Sequence, residues 1–559
     1  ATLVRNRRPL PGQDRRRCIG TFEPIQAEIA LNGIRLALRD QTSNPGLGAL
    51  WEDVMIKARQ FLALILFLTF APMPAPARAQ AGFNDDRVML QGFYWESHRH
   101  GHPGKPGAIG STKWYEIVKN QAGAIKDARF DLIWLPPPSF AGDYSAGYNP
   151  KEYFRLDNSY GDEAAHRAAL VALLGAGVEP VADIVINHRD GSTRWADFKN
   201  PDWGTWAITR DDNAFTDRAS EVFNTPISKR GAPEEKPIPY AQHTGTTYEY
   251  GSFRDIDHTN PQVRRDLIRY LLQLKSMGYR GWRYDMVHGY HARWIAVYNR
   301  ASQPTFSVGE YDWDKQGEQR GWAWHTATNP DHLETASSVF DFSTQFGLKD
   351  QIKASNYTAL YGYGLGIGLV GDNTDGQPWK NRAVTFVENH DTGYRTNEDG
   401  TPQNQQDSLA NGWQVEQGYA QILTHPGVPT VYWKHYFDWG PDLQNKIRAL
   451  INARKVAGVH AGSTLYLQSN AQANGVYAAR VVGNNGDLYV RIGGDDSKWQ
   501  PSASGYQHYR DYAHGDGWKV WVGIPGDPPV QQAPQKAPLP VPTPVPDPKA
   551  IDVPDSMLN

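Results

Sequence analysis

The chain has 559 residues, enough for about three or four domains and a large buried core, which excludes a small disulfide-stapled scaffold. Lys+Arg 57 against Asp+Glu 60 leaves a formal charge of −3, so no long-range field recruits nucleic acid or an anionic membrane, and a neutral substrate is expected. A 40% hydrophobic and 12% aromatic share is that of a globular protein, and the single cysteine, Cys18, excludes both an intramolecular disulfide framework and a cysteine-based zinc site. The 19 Trp serve equally well as core or as flat platforms for sugar rings.

Residues 1–54 precede the first methionine, carry eight Arg and no Lys, and show no sustained apolar period. They are expected to be disordered or not native to the protein. Met55 opens a charged stretch with Lys57 and Arg59, followed by an apolar run from Phe61 to Ala71 and the triplet Ala77-Arg78-Ala79. That order reads as a signal peptide over 55–79, cleaved near Ala79, which implies a secreted protein, extracellular or periplasmic. The apolar run is too short to span a bilayer, so no membrane association is expected.

Short apolar runs then alternate with helical patterns. VMLQGF (88–93), FDLIWLP (130–136), VEPVADIVI (178–186), YRGWRYD (279–285), TFSVGE (305–310), SVFDF (338–342), AVTFVEN (383–389) and VPTVYW (428–433) are eight candidate buried strands. Helical stretches separate several of them, for instance Asp162–Leu174 and Pro261–Ser276. Eightfold alternation predicts an α/β fold, a (β/α)8 TIM barrel over 80–186 and 258–458, with active residues at the C-terminal strand ends. About 90 residues between the third and fourth strands are too many for a loop, and an inserted subdomain is expected over 187–257. From 459 to 524 short alternating strands follow, with a hairpin at Asn485-Gly486, and a C-terminal all-β domain, a β-sandwich, is expected. Residues 525–559 are Pro-rich and read as an extended linker or tail, the kind of spacer that leads to a further module.

Three carboxylates, Asp285, Glu310 and Asp391, lie at or just after expected strand ends and should face one pocket. Cleaving a glycosidic bond with retention takes a carboxylate nucleophile and a second carboxyl that gives and then removes a proton, the two roughly 5 Å apart. Arg283 shares the facing of Asp285, because strand side chains repeat every two residues, and can hold that carboxylate ionised. His188 and His390 close the third and seventh strands and suit hydrogen bonds to hydroxyls. Each residue alone reads as easily as a loop acid, a helix cap or a core histidine; together at successive strand ends they read as a site.

The segments DIVINH (183–188), GWRYDMVHG (281–289), VGEYDW (308–313) and FVENHD (386–391) resemble, in order and spacing, the four short motifs of the α-amylase family, glycoside hydrolase family 13. The resemblance covers about 82–525. QGFYWES from Gln91, HDTGY from His390 and VYWKHYFDWG from Val431 are similar to plant α-amylases and bacterial maltotetraose-forming amylases. The resemblance implies that Asp285 is the nucleophile, Glu310 the acid/base, and Asp391 the residue that grips sugar hydroxyls. It places Asp183, Arg283, His188, His390 and His288 in substrate binding and Tyr148 under the sugar on the glycone side of the scissile bond, with starch and maltooligosaccharides as partners; a monomer is expected, although the sequence carries no signal for oligomeric state. It also implies a structural Ca2+ held by Asn187, Asp255 and the carbonyl of Gly289, calcium favouring oxygen ligands. Asp211, Asp212 and Glu249 are further ligand candidates that read equally as surface acids. His288-Gly289 stands where many members carry Lys-His, and the chain after residue 79 lacks the cysteines of several maltotetraose-forming relatives.

The leading expectation is thus a secreted enzyme hydrolysing α-1,4-glucosidic bonds of starch and releasing maltooligosaccharides. The alternatives are a transglycosylase or hydrolase of another α-glucoside, which would share every catalytic residue, and a catalytically silent starch-binding protein, against which the intact acid pair speaks.

Overall fold

The computed structural model describes residues 84–191, 197–209, 212, 253–312, 315–364, 368–403, 408–409, 411–502, 509–523, 535–543 and 547–559. The expected leader, residues 1–54 and most of the expected insertion lie outside the described residues. Those that are described all fall in the unit Ala77–Asn559.

Eight parallel strands close a barrel. They are β1 (Met89–Gln91), β2 (Leu132–Leu135), β3 (Glu179–Ile184), β6 (Gly281–Tyr284), β7 (Phe306–Gly309), β8 (Ser338–Phe340), β9 (Ala383–Phe386) and β12 (Val428–Tyr432). Their order around the barrel is β1-β12-β9-β8-β7-β6-β3-β2. Each lies inside one of the eight apolar runs, because strands covered on both faces read as continuous hydrophobic segments. Every residue of these strands is buried. Trp134 packs at 5.3 Å from Phe340, which in turn meets Phe386 at 5.6 Å, so rings from three strands fill the interior as a packed layer.

The helices between strands start and stop on local chemistry. Helix α1 is Trp114–Asp127 and α2 is Glu163–Gly175, whose N-cap Asp162 accepts a 2.7 Å hydrogen bond from the Ala165 amide. Helix α3, Pro261–Met277, begins with Pro at its first position behind the N-cap Asn260 and ends at Gly278, whose φ of 132° no β-carbon tolerates readily. The others are α4 (Arg293–Ser302), α5 (Gln316–His325), α6 (Phe342–Lys353), α7 (Gly412–Thr424) and α8 (Pro441–Ala457). Of the expected insertion, a short antiparallel pair is described, β4 (His188–Arg189) with β5 (Arg254–Asp255). A second small hairpin, β10 (Arg395–Thr396) with β11 (Pro402–Gln403), follows β9.

The C-terminal domain departs from the expected sandwich. Among the described residues it is one five-stranded antiparallel sheet in the order β13-β14-β15-β17-β16, built from β13 (Thr464–Leu467), β14 (Tyr477–Val482), β15 (Asp487–Ile492), β16 (Arg510–Gly515) and β17 (Trp518–Gly523). The second layer is supplied by barrel helices: Trp518 donates to Glu416 of α7 at 3.0 Å, and Tyr477 meets His425 at the end of the same helix. The outer face carries a small cluster of Tyr489, Trp499 and Trp521 under the short helix α9 (Ser469–Ala473).

The Pro-rich tail also departs from expectation. Residues 535–543 and 547–559 lie along the outside of the barrel instead of standing off as a spacer. Proline lacks an N–H but keeps its carbonyl, so an extended Pro-rich chain is a row of acceptors. Arginines supply the donors: Arg280 bonds the Pro540 carbonyl at 2.5 Å, Arg167 that of Pro542 at 3.0 Å, Arg269 that of Ile551 at 3.0 Å and Arg300 that of Asn559 at 2.9 Å. Lys536 pairs with the buried Asp131 at 2.8 Å, and Val553 and Leu558 are each 3% exposed. No helix among the described residues is long and apolar enough to cross a membrane.

Candidate active site

The C-terminal ends of β3, β6 and β7 converge on one cation. Arg283 points up from β6 and is fully buried, and its Nη1 lies 2.6 Å from Oδ1 of Asp183 and 2.7 Å from Oδ1 of Asp285. Its Nη2 is 2.6 Å from Oε1 of Glu310. The strand ladder carries these acids to their places: the Asp285 amide bonds the Ile184 carbonyl and the Glu310 amide the Tyr284 carbonyl, continuing the pairings of β6 with β3 and of β7 with β6. Immediately after Asp285 the chain turns sharply, with Met286 at φ 43°, and the Met286 amide donates to Oε2 of Glu310 at 3.1 Å. Asp285 and Glu310 thus rest on neighbouring nitrogens of one planar fork, a close carboxyl pair.

Electrostatics follow from this crowding. One guanidinium faces three carboxyls whose side chains are 0–12% exposed. Ionising Asp183 and Asp285 together buries more negative charge than one guanidinium compensates, so burial favours the protonated form of each. Burial raises Asp183 to about 6 although Arg283, Tyr148 and Trp134 all donate to it. Burial, reinforced by the charges of Glu310 and Asp183, also pushes Asp285 upward, with Arg283 opposing.

A second chain of contacts runs from Asp183 across the pocket. The Tyr148 hydroxyl donates to Oδ2 of Asp183 at 2.9 Å and lies 2.8 Å from Nε2 of His390. His390 is buried, and burial together with nearby Arg283 keeps its ring far below the ordinary histidine range, hence neutral. Nδ1 of that ring accepts from the Gln91 amide at 2.9 Å, so Nε2 carries the proton and donates to Tyr148 and toward Asp391, 3.1 Å away. The rings of Trp95, Tyr148 and His390 are nearly parallel, Trp95 to Tyr148 within 2° at 6.1 Å and Tyr148 to His390 within 9° at 5.3 Å. Asp391 is the open member of the set, 46% exposed.

Not every expected site residue stands where the motif reading put it. Asp183 is fully buried beneath Arg283 and Tyr148 and cannot reach a sugar, so its part is positioning. His188 presents Nε2 to the Tyr148 carbonyl at 2.7 Å and stacks on Phe253, holding the loop that carries Tyr148. His288 is buried, with Nδ1 3.0 Å from Oδ1 of Asp312. Asp212 is no surface acid: it is buried, 3.5 Å from Nε of Arg254. Asp211 and Glu249 lie outside the described residues. Sequence reasoning passed over Gln91, Trp95 and Trp134; Gln91 was detectable as a polar residue inside an otherwise apolar strand.

The residues expected to ligate calcium line one cavity. Asn187, Asp255 and Gly289 meet there with Thr209 and Asp257. The β4–β5 pair sets Asp255 opposite His188 and next to Asn187. A β-carbon on Gly289 would fall 1.9 Å from Oδ1 of Asn187, so the glycine leaves room for that oxygen.

Comparison with known proteins decides what this geometry belongs to. The model "Alpha amylase, catalytic domain" matches residues 118–338, and "Alpha-amylase C-terminal beta-sheet domain" matches 456–522. A probable α-amylase 2 of Arabidopsis thaliana is 30% identical over 74% of this chain and 89% of its own length. The chain belongs to the α-amylase family. As a family member with an intact acid pair it is a glycosidase of the glycoside hydrolase family 13 type. A glucan 1,4-α-maltotetraohydrolase of Stutzerimonas stutzeri is 31% identical over 76% of this chain and 74% of its own. Among solved structures, an Anoxybacillus α-amylase superposes with a TM-score of 0.55 at 14% identity over 79% of this chain and 99% of that one, a likeness of fold.

Proposed function

We propose that this α-amylase family member hydrolyses α-1,4-glucosidic bonds of starch and related glucans with retention, releasing maltooligosaccharides, and that it does so as an exported protein. The observation that carries this reading is the seating of Asp285 and Glu310 side by side on Arg283, next to a wall of parallel rings. A retaining pair stands roughly 5 Å apart, whereas an inverting pair leaves ~6.5–9.5 Å for a water.

In this reading a glucose ring lies against Tyr148. Glu310 protonates the glycosidic oxygen while an oxygen of Asp285 attacks C1, the bond to the leaving chain breaks and a glycosyl ester forms. Glu310, now ionised, takes a proton from water, which attacks C1 and frees Asp285. Arg283 opposes the pull of burial on Asp285 and holds it beside Glu310. Asp391 grips hydroxyls of the same sugar, and His390, held neutral, supports Tyr148 and Asp391 through its Nε2–H without bringing a positive charge beside the developing oxocarbenium.

We further propose that Asn187, Asp255 and Gly289 hold a structural calcium. Bound there, the ion would tie the β4–β5 segment to the loop after β6, and this chain's part is to supply an amide oxygen, a carboxylate and a carbonyl.

The test is a product profile on soluble starch, with Asp285→Asn alongside, each with calcium and with a chelator. Short maltooligosaccharides from the wild type and a folded but inert variant are expected. Net growth of longer glucans would move the reading to transglycosylation. A folded wild type that releases nothing from starch would defeat it.

A further inference from the structure

The start of the hairpin β10–β11 is held by several hydrogen bonds to partly buried side chains. Glu96, buried just after β1, accepts from the Thr396 hydroxyl at 3.1 Å and pairs with Lys434 at 2.9 Å. Lys434 also bonds the Tyr394 carbonyl at 2.9 Å, and Arg99 donates to the carbonyls of Thr396 and Asn397, each at 3.0 Å. These bonds tie the start of the hairpin to the loop after β1 and to Lys434 after β12. They fix the backbone on both sides of Arg395.

Arg395 spends its side chain on two partners inside the cleft. Nη1 lies 3.2 Å from Oδ1 of Asp391, and the guanidinium carbon sits 4.7 Å from the centroid of the Trp95 ring, over its face. Trp95 is itself the outer ring of the parallel set Trp95, Tyr148, His390. Arg395 therefore covers part of the ring surface that continues the wall beyond Tyr148.

The barrel order says which side of the scissile bond this is. Glu310 follows β7 and Trp95 follows β1, and these strands are diametrically opposite, four places apart in either direction. The acid/base stands beside the leaving-group oxygen, so the far side from Glu310 is the side of the glycone chain. We propose that Arg395 is a specificity-determining residue, a barrier on the glycone side that denies a glucose unit the face of Trp95 and so shortens the product. A flat guanidinium suits the task, since it stacks on an aromatic face and pairs with a carboxylate at once. This rests on the proposed hydrolysis of α-1,4-glucans.

The experiment compares wild type, Arg395→Ala and Arg395→Lys on maltoheptaose at low conversion, scoring which bond is cut from the lengths of the glycone products, with kcat and KM measured separately and folding checked by circular dichroism. The alanine variant is expected to shift the commonest glycone product longer by at least one glucose unit. The lysine variant retains a cation near Asp391 but lacks the flat fork. It is expected to keep kcat closer to wild type while still showing the longer product. An alanine variant with the wild-type product distribution, or with shorter products, would overturn the inference, the latter by showing that Arg395 binds sugar instead of excluding it. A wild type that does not cut maltoheptaose would instead count against the proposed activity, so the two failures are distinguishable.

Discussion

Arg283→Met is the sharpest perturbation the site offers, because one side chain compensates three acids. The guanidinium makes contacts of 2.6, 2.7 and 2.6 Å to Asp183, Asp285 and Glu310 in a nearly solvent-free pocket. Removing one partner from a buried ion cluster leaves uncompensated charge and costs about 3–5 kcal/mol, a large part of the ~5–15 kcal/mol that holds a domain together. The acids respond by binding protons. Asp183 already stands at about 6, and Asp285 is already raised by burial with Arg283 opposing, so loss of the cation lifts both. Each unit by which the pKa of Asp285, the proposed nucleophile, exceeds ambient pH costs tenfold in its ionised fraction. Adding the lost orientation of both carboxyls, kcat/KM should fall at least ~10³-fold at pH 7.

The sign for stability is opposite to that of an ordinary salt-bridged acid. A carboxyl raised in the native state binds its proton there more readily than in the unfolded chain. Its stabilising contribution is therefore complete below the unfolded value near 4 and is lost as pH climbs through the folded one. The variant should be closest to wild type in thermal midpoint at pH 5 and farthest from it at pH 7.5. Midpoints at both pH values, with kcat/KM on a chromogenic maltooligosaccharide, are the assay. A variant within tenfold of wild type, or one whose midpoint deficit is the same at both pH values, would refute the argument.

Glu310→Gln should lose about 10²–10⁴-fold on glucans but far less on a glycoside whose phenol leaves without a proton, and equal losses on both substrates would exclude the acid role. Gly289→Ala, whose new carbon would collide with Oδ1 of Asn187, should raise the calcium concentration needed for half-maximal thermal protection, as should Asp255→Asn. A wild-type midpoint indifferent to chelator would remove the calcium proposal, since a ligand at 100 times its Kd stabilises by about 2.7 kcal/mol. In the tail, Leu558→Ala should lower stability by about 2 kcal/mol in urea without changing kcat, the low end of the buried-leucine range because a surface strap collapses readily around a lost side chain. An unchanged urea midpoint would mean the strap does not contribute to the fold.

The eight barrel strands were legible in the sequence because each is buried on both faces and so reads as an unbroken apolar run, and the helical stretches Asp162–Leu174 and Pro261–Ser276 fall on α2 and α3 to within a residue. The identities of Arg283, Asp285 and Glu310 were equally legible, since period-two facing and position at strand ends follow from the chain itself. The partners each acid would find were not. Asp183 looked like a sugar ligand and is a buried support, because whether an inward residue lies in the floor or at the mouth depends on how far the neighbouring strands are staggered. The C-terminal sheet looked like half of a sandwich, and what covers it is two barrel helices already passed in the chain, α7 through Glu416 and α8 through Asn452. The Pro-rich tail has a local signature that says extended, and nothing local could say that arginines of α2, α3 and α4 and of the turn before β6 await its carbonyls. Arg395 is the extreme case: as a sequence position it is a charged residue in a polar loop, and only closure of the barrel sets it over Trp95, about 300 residues away in the chain. Local propensity and periodicity are short-ranged, so they determine the elements and the facing of their side chains, while contacts between distant segments are settled by how those elements pack.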